Sequence, residues 1–171
     1  MPKPFSDETL SKIEVILMDL DGCLTTGHIV YLSSGEDLKI FNTHDGYGIV
    51  RARKLGMKFG VISGMSSLVN QRRVERLQID HLYQDVDDKT LPYKELKEMY
   101  NLTDDNFAYI GDDEFDIGLL KLVGFSCCPN NAMAEVKKNV DYICAKDGGQ
   151  GCVREIVDMI LKAKGLLPTH S

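Results

Sequence analysis

Residues 15–27 read VILMDLDGCLTTG, a short apolar run that ends in two aspartates, Asp19 and Asp21. The run predicts a strand that is buried on both faces. Two residues apart at a strand end, the two carboxylates can point to the same side, and Gly22 allows the chain to turn sharply after them. Because unpaired carboxylates this close repel each other, they need a cation between them or a raised pKa. A solvated turn and a calcium loop are the alternatives, although the third acid and the closing glutamate of a calcium loop are missing.

The rest of the chain has the composition of one folded domain. Its 171 residues are enough to bury most of the apolar surface in a single core. The net charge of −6 argues against nucleic acid or an anionic membrane as the main partner, because both need a basic surface. No apolar run approaches the roughly 18 residues of a membrane span. The five cysteines lack disulfide or zinc spacing, so we expect reduced thiols in a cytoplasmic protein, with flexible ends at about 1–9 and 166–171.

Strand-like apolar runs and helix-like segments alternate along most of the chain. This alternation predicts an α/β fold, a three-layer, Rossmann-like open sandwich with a mostly parallel sheet. Residues 28–41 break the pattern, because two short β-rich pieces flank the loop SSGED, which is typical of a hairpin. A hairpin inserted after the first strand lies at the carboxyl edge of the sheet, where ligands of such folds bind. We expect it to serve as a lid or as an oligomer contact.

A second acidic group follows another strand-like run, in YIGDDEFD at residues 109–116. It contains Asp112 and Asp113, with Asp116 one helical turn further on. Acids in this position also favour a helix N-terminus, which is the simpler interpretation. Parallel strands, however, deliver their carboxyl ends to one rim, so both acidic groups can converge there. A few oxygen ligands with room for water suit Mg²⁺ better than zinc or copper.

Two further strand ends carry suitable chemistry. The run VISG closes with Ser63 and Gly64, a hydroxyl and free backbone amides that lead into a helix, which is an arrangement that holds phosphate. Lys89 stands just before the helix that starts near Thr90. Alone, Ser63 would be a helix cap and Lys89 a surface lysine. Together with the acidic groups they give four consecutive loops with nucleophile, hydroxyl, ammonium and metal ligand.

This order of motifs resembles the haloacid dehalogenase superfamily of phosphohydrolases along nearly the whole chain. Its members without a cap domain are more similar still. Four stretches resemble phosphatases of 3-deoxy-D-manno-octulosonate 8-phosphate (KDO 8-phosphate) and relatives that act on nine-carbon ulosonic acid phosphates: DLDGCLTTGHIVY, KIFNTHDGYGI, YIGDDEFD and DGGQGCVREIV. The resemblance implies one capless domain over residues 1–171 and a Mg²⁺-dependent sugar-acid phosphatase, with a place in lipopolysaccharide biosynthesis.

The resemblance also implies roles for the acidic residues. Asp19 would be the nucleophile, which attacks phosphorus and forms an aspartyl-phosphate. Asp21 would protonate the departing sugar oxygen and later take a proton from the hydrolytic water. Mg²⁺ would be held by Asp19, Asp112 and the backbone carbonyl of Asp21. Supporting positions close by would be occupied by Asp113 and Asp116.

For the phosphate itself, the resemblance assigns three residues. Ser63 and the amide of Gly64 would bind the oxygens of the transferring phosphoryl group. Lys89 would tie the phosphate to the nucleophile by its charge. A phosphate dianion cannot approach a carboxylate unless cations cancel the repulsion, which is why both the metal and the lysine are needed.

The other end of the substrate departs from the family pattern. The Ser-Gly step is commonly followed by arginine and the late glycine loop commonly reads G-G-R-G, but this chain has Met65 and Gln150 there. We expect the carboxylate of an ulosonic acid to be met by Arg72, or by the neighbouring Arg73 or Arg76, unless the substrate itself differs. A solvated helix face is the alternative for these arginines.

Two further segments concern the subunit contacts. Capless relatives pack as tetramers in which the hairpin and a neighbouring segment close the site, and the glycine loop Gly148–Gly151 fits that plan. His44, with Gln150, is expected to face the substrate, whereas Asp45 either faces the substrate or caps a helix. The competing functions are a phosphatase of nine-carbon KDN or N-acylneuraminate 9-phosphate, and a non-catalytic tetramerisation module related to acylneuraminate cytidylyltransferase.

Overall fold

Six strands form the central sheet of the computed structural model, which describes residues 5–167. The strands are β1 (Val15–Met18), β4 (Lys58–Ile62), β5 (His81–Tyr83), β6 (Phe107–Ile110), β7 (Phe125–Cys128) and β8 (Tyr142–Ile143). Across the sheet they follow the order β5-β4-β1-β6-β7-β8, and each neighbouring pair is parallel. The predicted parallel sheet is thereby confirmed.

Strand β1 lies inside the sheet and is buried on both faces, as its apolar sequence predicts. Ile16 and Met18 pack into one core, and Val15 and Leu17 pack into the other. This division follows from the two-residue period of a strand. Each core is closed by its own layer of helices, so the three-layer sandwich is confirmed.

The helices divide between the two faces according to the core that they enter. The first core receives residues of α1 (Asp7–Ser11), α2 (Thr43–Lys54), α3 (Leu68–Leu77) and α7 (Cys152–Ala163). The second receives residues of α4 (Thr90–Tyr100), α5 (Ile117–Leu120) and α6 (Ala134–Lys137). None of the helices within residues 5–167 is long and apolar enough to cross a membrane.

The predicted hairpin forms a separate two-stranded sheet between β1 and α2. Its strands are β2 (Val30–Tyr31) and β3 (Asp37–Leu38), which pair antiparallel. A bridge between Thr25 and Phe41 closes its base. Most of the hairpin is exposed, with the exception of Lys39, whose side chain is buried.

The amino-terminal end is more regular than the sequence suggested. Within the segment 1–9 that was expected to be flexible, residues 7–9 belong to α1, because Ser6 caps this helix and Leu10 inserts into the first core. The outermost parts of the two predicted flexible ends, residues 1–4 and 168–171, lie outside the described residues.

Candidate active site

Four neighbouring strand ends bring polar side chains to one rim of the sheet. Asp19 follows β1 and Ser63 follows β4, while Lys89 lies in the connection after β5 and Asp112 lies just beyond β6. These four strands are adjacent and parallel, so their carboxyl ends face the same edge. These four residues therefore lie along one edge of the sheet.

Lys89 is the centre of a buried ionic network. Its Nζ donates to Oδ1 of Asp19 at 2.6 Å, to Oδ1 of Asp116 at 2.7 Å and to the hydroxyl of Tyr109 at 3.2 Å. The ring of Phe115 covers the ammonium, with 4.3 Å between Nζ and the ring centroid. Burial disfavours the charge of Lys89, but Asp19 and Asp116 outweigh it and raise the pKa of the lysine. The ammonium is thus charged and fixed beside Asp19.

Three carboxylates of this network lie close enough to share a cation. Oxygen atoms of Asp19, Asp112 and Asp116 all lie within 4.8 Å of one another. Asp116 is already saturated: Oδ1 accepts from Lys89 and from the hydroxyl of Tyr109, and Oδ2 accepts two backbone N–H groups at 3.0 and 3.2 Å. It therefore acts as a scaffold rather than as an open ligand.

Of these three carboxylates, Asp112 has the fewest hydrogen-bond partners. Within residues 5–167 its side chain accepts only a weak contact from the Cys23 thiol, at 3.7 Å. Burial, together with the charges of Asp19 and Asp116, raises the pKa of Asp112 to about 7. Burial likewise raises the pKa of Asp19 to about 6, although Lys89 pulls it down. Three carboxylates facing one ammonium leave two negative charges uncompensated, which suits a divalent cation.

The turn after Asp19 is fixed by glycines from two parts of the chain. Gly22 has φ +94°, and a Cβ placed there would lie 2.0 Å from Oδ2 of Asp112. A Cβ on Gly148 would lie 1.6 Å from the carbonyl oxygen of Gly22. The N–H of Gly149 donates to the carbonyl of Cys23 at 2.9 Å. The late glycine loop therefore supports the turn that carries the paired aspartates.

Asp21 is not part of the three-carboxylate cluster and has partners of its own. Its Oδ2 accepts from Nζ of Lys39 at 2.6 Å and its Oδ1 accepts from the hydroxyl of Thr25 at 3.3 Å. Lys39 also donates to Oδ1 of Asn70 in α3, at 2.9 Å. Lys39 was not expected at the site from the sequence, because a lysine in an exposed hairpin has the pattern of a solvated residue.

Ser63 and Gly64 form the polar end of β4. Ser63 is buried, and its hydroxyl donates to the carbonyl of Met65 at 3.0 Å and accepts the N–H of Met65 at 3.2 Å. Gly64 is exposed, and no acceptor for its N–H is found in the part of the chain that the structure describes. The amide is thus available to a phosphate oxygen, and the Ser63 hydroxyl is held beside it.

Comparison with known proteins assigns this arrangement to a family. Residues 66–156 match the model of the haloacid dehalogenase-like hydrolases. The Escherichia coli (strain K12) 3-deoxy-D-manno-octulosonate 8-phosphate phosphatase KdsC is 35% identical over 167 residues, which cover 96% of this chain and 89% of that protein. The chain belongs to the haloacid dehalogenase-like hydrolases. The family and the phosphatase relatives together identify it as a phosphatase.

Solved structures agree with this assignment. The KDO 8-phosphate phosphatase of Yersinia pestis superposes with a TM-score of 0.93 at 33% identity, covering 95% of this chain and 88% of that one. The Moraxella catarrhalis enzyme, in complex with magnesium, phosphate and KDO, superposes with a TM-score of 0.90 at 34% identity, covering 93% and 91%. A divalent metal at the carboxylate cluster of this phosphatase is consistent with both the geometry and the family.

The candidate substrate residues of the phosphatase fall into two separate places. His44 and Gln150 are both exposed and line one cavity of about 470 Å³ near the start of α7. Arg72 lines a different groove, of about 460 Å³, between the hairpin and α3. The structure therefore does not bring Arg72 together with His44 and Gln150.

Two other residues named from the sequence have structural partners. Asp45 is buried, and its carboxylate accepts the backbone N–H groups of Gly151 at 3.2 Å and Arg154 at 2.8 Å. It thus caps α7, which is the second of the two roles considered for it. Arg73 donates to the carbonyl of Asn42 at 3.1 Å and lies over the ring of Phe41.

Proposed function

We propose that this phosphatase hydrolyses KDO 8-phosphate with the help of Mg²⁺, through an aspartyl-phosphate on Asp19. The observation that carries the proposal is the buried Asp19, held at 2.6 Å by Lys89 and facing the poorly partnered Asp112. The choice of sugar acid is supported by the relatives, which are 33% to 35% identical and are named for this substrate.

The first step is the attack of an Asp19 carboxylate oxygen on phosphorus. The new bond joins Asp19 to the phosphoryl group as the bond from phosphorus to the sugar oxygen breaks. Lys89 balances the negative charge of Asp19 as the phosphate dianion of the substrate approaches. Ser63 and the free amide of Gly64 would bind the phosphoryl oxygens, where the negative charge is spread.

Asp21 would manage the protons of both steps. It gives a proton to the departing sugar oxygen, and then takes one from the water that hydrolyses the aspartyl-phosphate. Mg²⁺, held by Asp19, Asp112 and the backbone carbonyl of Asp21, would supply the positive charge that the buried carboxylates lack. Such stabilisation is needed because phosphate monoesters demand up to ~10²¹-fold acceleration.

The far end of the substrate would be bound outside the carboxylate cluster. His44 and Gln150 offer polar groups on one side, and Arg72 offers a cation on the other. Gln150 and Met65 stand where the family pattern commonly has arginine, so a nine-carbon ulosonic acid 9-phosphate is the second candidate substrate. A longer sugar acid would place its carboxylate at a different distance from the phosphate.

A panel of substrates tests this proposal. We expect Mg²⁺-dependent phosphate release from KDO 8-phosphate with a higher kcat/KM than from KDN 9-phosphate or N-acetylneuraminate 9-phosphate. Asp19→Asn keeps the shape of the side chain but is not a nucleophile, so it should release no phosphate. A faster nine-carbon substrate would replace the proposed one, and activity without Mg²⁺ or in Asp19→Asn would refute the mechanism. No release from any sugar phosphate would favour the non-catalytic module.

We also propose a homotetramer in which the hairpin lies between subunits. Five large apolar side chains of the hairpin are exposed, and such a concentration on one short segment is typical of an interaction surface: Val30, Tyr31, Leu32, Leu38 and Ile40. Light scattering should give four times the chain mass, and Tyr31→Ser should lower it. A monomer in the wild type would contradict the assembly without affecting the proposed chemistry.

A further inference from the structure

We propose that Lys39 is a positioning residue for Asp21, and that it makes protonation of the leaving group depend on the docked hairpin. The proposal rests on the acid role given to Asp21 above. Lys39 directly follows β3 in the hairpin. Its Nζ lies 2.6 Å from Oδ2 of Asp21 and 2.9 Å from Oδ1 of Asn70.

The burial of Lys39 reverses the normal pattern of a surface hairpin. Its side chain is 0% exposed, whereas its apolar neighbours Leu38 and Ile40 are 45% and 55% exposed. A strand next to a core normally turns its apolar residues inward and its charges outward. Burying an ammonium is costly unless it is paired, and an apolar residue would stabilise such a site as well. The inverted pattern therefore points to a role for the charge itself.

The amide on the other side of Lys39 is held in one orientation. The Nδ2 group of Asn70 donates to Oε1 of Gln84 at 3.0 Å and to the carbonyl of Met65 at 3.2 Å. Its Oδ1 must then face the lysine as an acceptor. The same Met65 carbonyl accepts the hydroxyl of Ser63 at 3.0 Å. Lys39 thereby links the aspartate turn after β1 to the proposed phosphate-binding turn after β4.

The hairpin brings Lys39 to this place through a second anchor. Oδ2 of Asp37 in β3 accepts the hydroxyl of Ser67, the residue that caps α3, at 2.7 Å. Lys39 reaches Asp21 only while this strand lies against α3. When the hairpin lifts, Asp21 keeps only its weaker contact with Thr25, at 3.3 Å. The side chain of the proposed acid is then no longer fixed by an ion pair.

The chemistry of the leaving group separates this role from a purely structural one. A sugar or other alkyl alcohol leaves poorly as an alkoxide and needs a proton from Asp21. p-Nitrophenolate leaves readily without one. Loss of Lys39 should therefore slow substrates with basic leaving groups more than it slows p-nitrophenyl phosphate. A loss of folding or of phosphate binding would slow all of them alike.

The test measures kcat/KM for p-nitrophenyl phosphate, phenyl phosphate and an alkyl phosphate in the Mg²⁺-loaded enzyme. For Lys39→Met we expect a loss of ~10- to 100-fold with the alkyl phosphate, a fraction of what a general acid contributes, and about 3-fold or less with p-nitrophenyl phosphate. Lys138→Met is the matched control, because Lys138 is an exposed lysine paired with Glu135, and it should match the wild type. Lys39→Gln serves as the second variant if Lys39→Met does not fold.

Asp21→Asn distinguishes the failure of this inference from the failure of the proposed function. It should show the same selective loss as Lys39→Met, but larger. If Asp21→Asn is selective and the Lys39 variants lose all substrates equally or lose nothing, Lys39 is not a positioning residue. If Asp21→Asn itself shows no dependence on the leaving group, the acid role of Asp21 is wrong and the inference falls with it.

Discussion

Two aspartate–lysine pairs lie two residues apart at the end of β1 and differ in how they are built. Asp19 and Lys89 form the core pair, and Asp21 and Lys39 form the hairpin pair; the Nζ–Oδ distance is 2.6 Å in both. Lys89 lies in the connection after β5 and is buried. It also pairs with the buried carboxylate of Asp116. Lys39 lies in the inserted hairpin, and its other partner is the neutral side-chain amide of Asn70. The repulsion expected between the two aspartates is thus relieved by a separate cation for each.

The largest effect should come from Lys89→Met. It leaves Asp19 and Asp116 buried without their shared cation, which costs roughly 3–5 kcal/mol of folding stability for a broken buried pair. Activity should fall by about 10³-fold for every substrate, because charge balance at the nucleophile is lost whatever the leaving group. Thermal unfolding and phosphate release measure the two effects. An enzyme of near-normal activity would show that the core pair is only structural.

The hairpin pair should be less important for stability. The side chain of Asp21 is 19% exposed, so water can solvate it when Lys39 is removed, whereas Asp19 is enclosed. We expect Lys39→Met to lower Tm by less than half of the loss in Lys89→Met. An equal loss of Tm in the two variants would mean that the hairpin pair contributes as much to stability as the core pair.

A change at Gly148 should disturb both pairs at once. Its Cβ would overlap the Gly22 carbonyl, so Gly148→Ala must push the turn that carries Asp19 and Asp21. A displacement of about 1 Å at reacting groups costs on the order of 10²-fold in rate. Gly118→Ala is the control, because its Cβ would meet only Thr90, at an ordinary 3.6 Å. If Gly148→Ala is as active as Gly118→Ala, the turn can shift without displacing Asp19 and Asp21.

Metal binding should depend on the carboxylates of Asp19 and Asp112 and not on the ion pair of Asp21 with Lys39. Burial raises the pKa of Asp19 to about 6 and that of Asp112 to about 7 in the metal-free protein, above the ordinary value of 3.8. The folded state then binds more protons than the unfolded state, so these groups make the protein less stable as pH rises from about 4 to 7. Mg²⁺ binds the deprotonated forms, and its stabilising effect should therefore grow over that range.

The measurement is the shift in Tm on adding saturating Mg²⁺ between pH 5 and pH 8. At ~100 times its Kd a ligand stabilises by about 2.7 kcal/mol, or roughly 5–10 °C for a chain of this size. Asp112→Asn should abolish the shift, and Lys39→Met should retain it. A shift that is independent of pH, or one that Lys39→Met removes, would contradict the separation of the two pairs.

The same contrast explains what could be predicted from the sequence. The parallel sheet and the positions of Asp19, Ser63, Lys89 and Asp112 follow from strand periodicity, because each of these residues stands directly beside a strand end or a helix start. Lys39 could not be found this way. Its burial depends on contacts with Asp21 and Asn70, 18 and 31 residues away, and its local pattern is that of an exposed strand.

The sequence did not reveal which side chains compensate the paired aspartates. A cation or a raised pKa was expected for Asp19 and Asp21, and the described structure adds a lysine beside each of them, while Asp112 has the weakest contacts of the carboxylate cluster. In the same way, the contact between Gly148 and Gly22 was not predicted, and the expected role of the glycine loop at a subunit contact stays a prediction. Such contacts depend on how distant loops meet, which residue spacing alone does not reveal.

The smallest effect should come from the anchor of the hairpin. Asp37→Ala removes the hydrogen bond from Ser67, which contributes about 0.5–1.5 kcal/mol. If Lys39 acts only while the hairpin is docked, this change should lower kcat/KM for alkyl phosphates by about 2- to 10-fold and leave p-nitrophenyl phosphate nearly unchanged. Ser34→Ala at the hairpin loop, where the hydroxyl bonds only Glu36, should have no effect. If Asp37→Ala has wild-type rates, Lys39 holds the hairpin in place without the Asp37–Ser67 contact. The hairpin pair would then not depend on this second anchor.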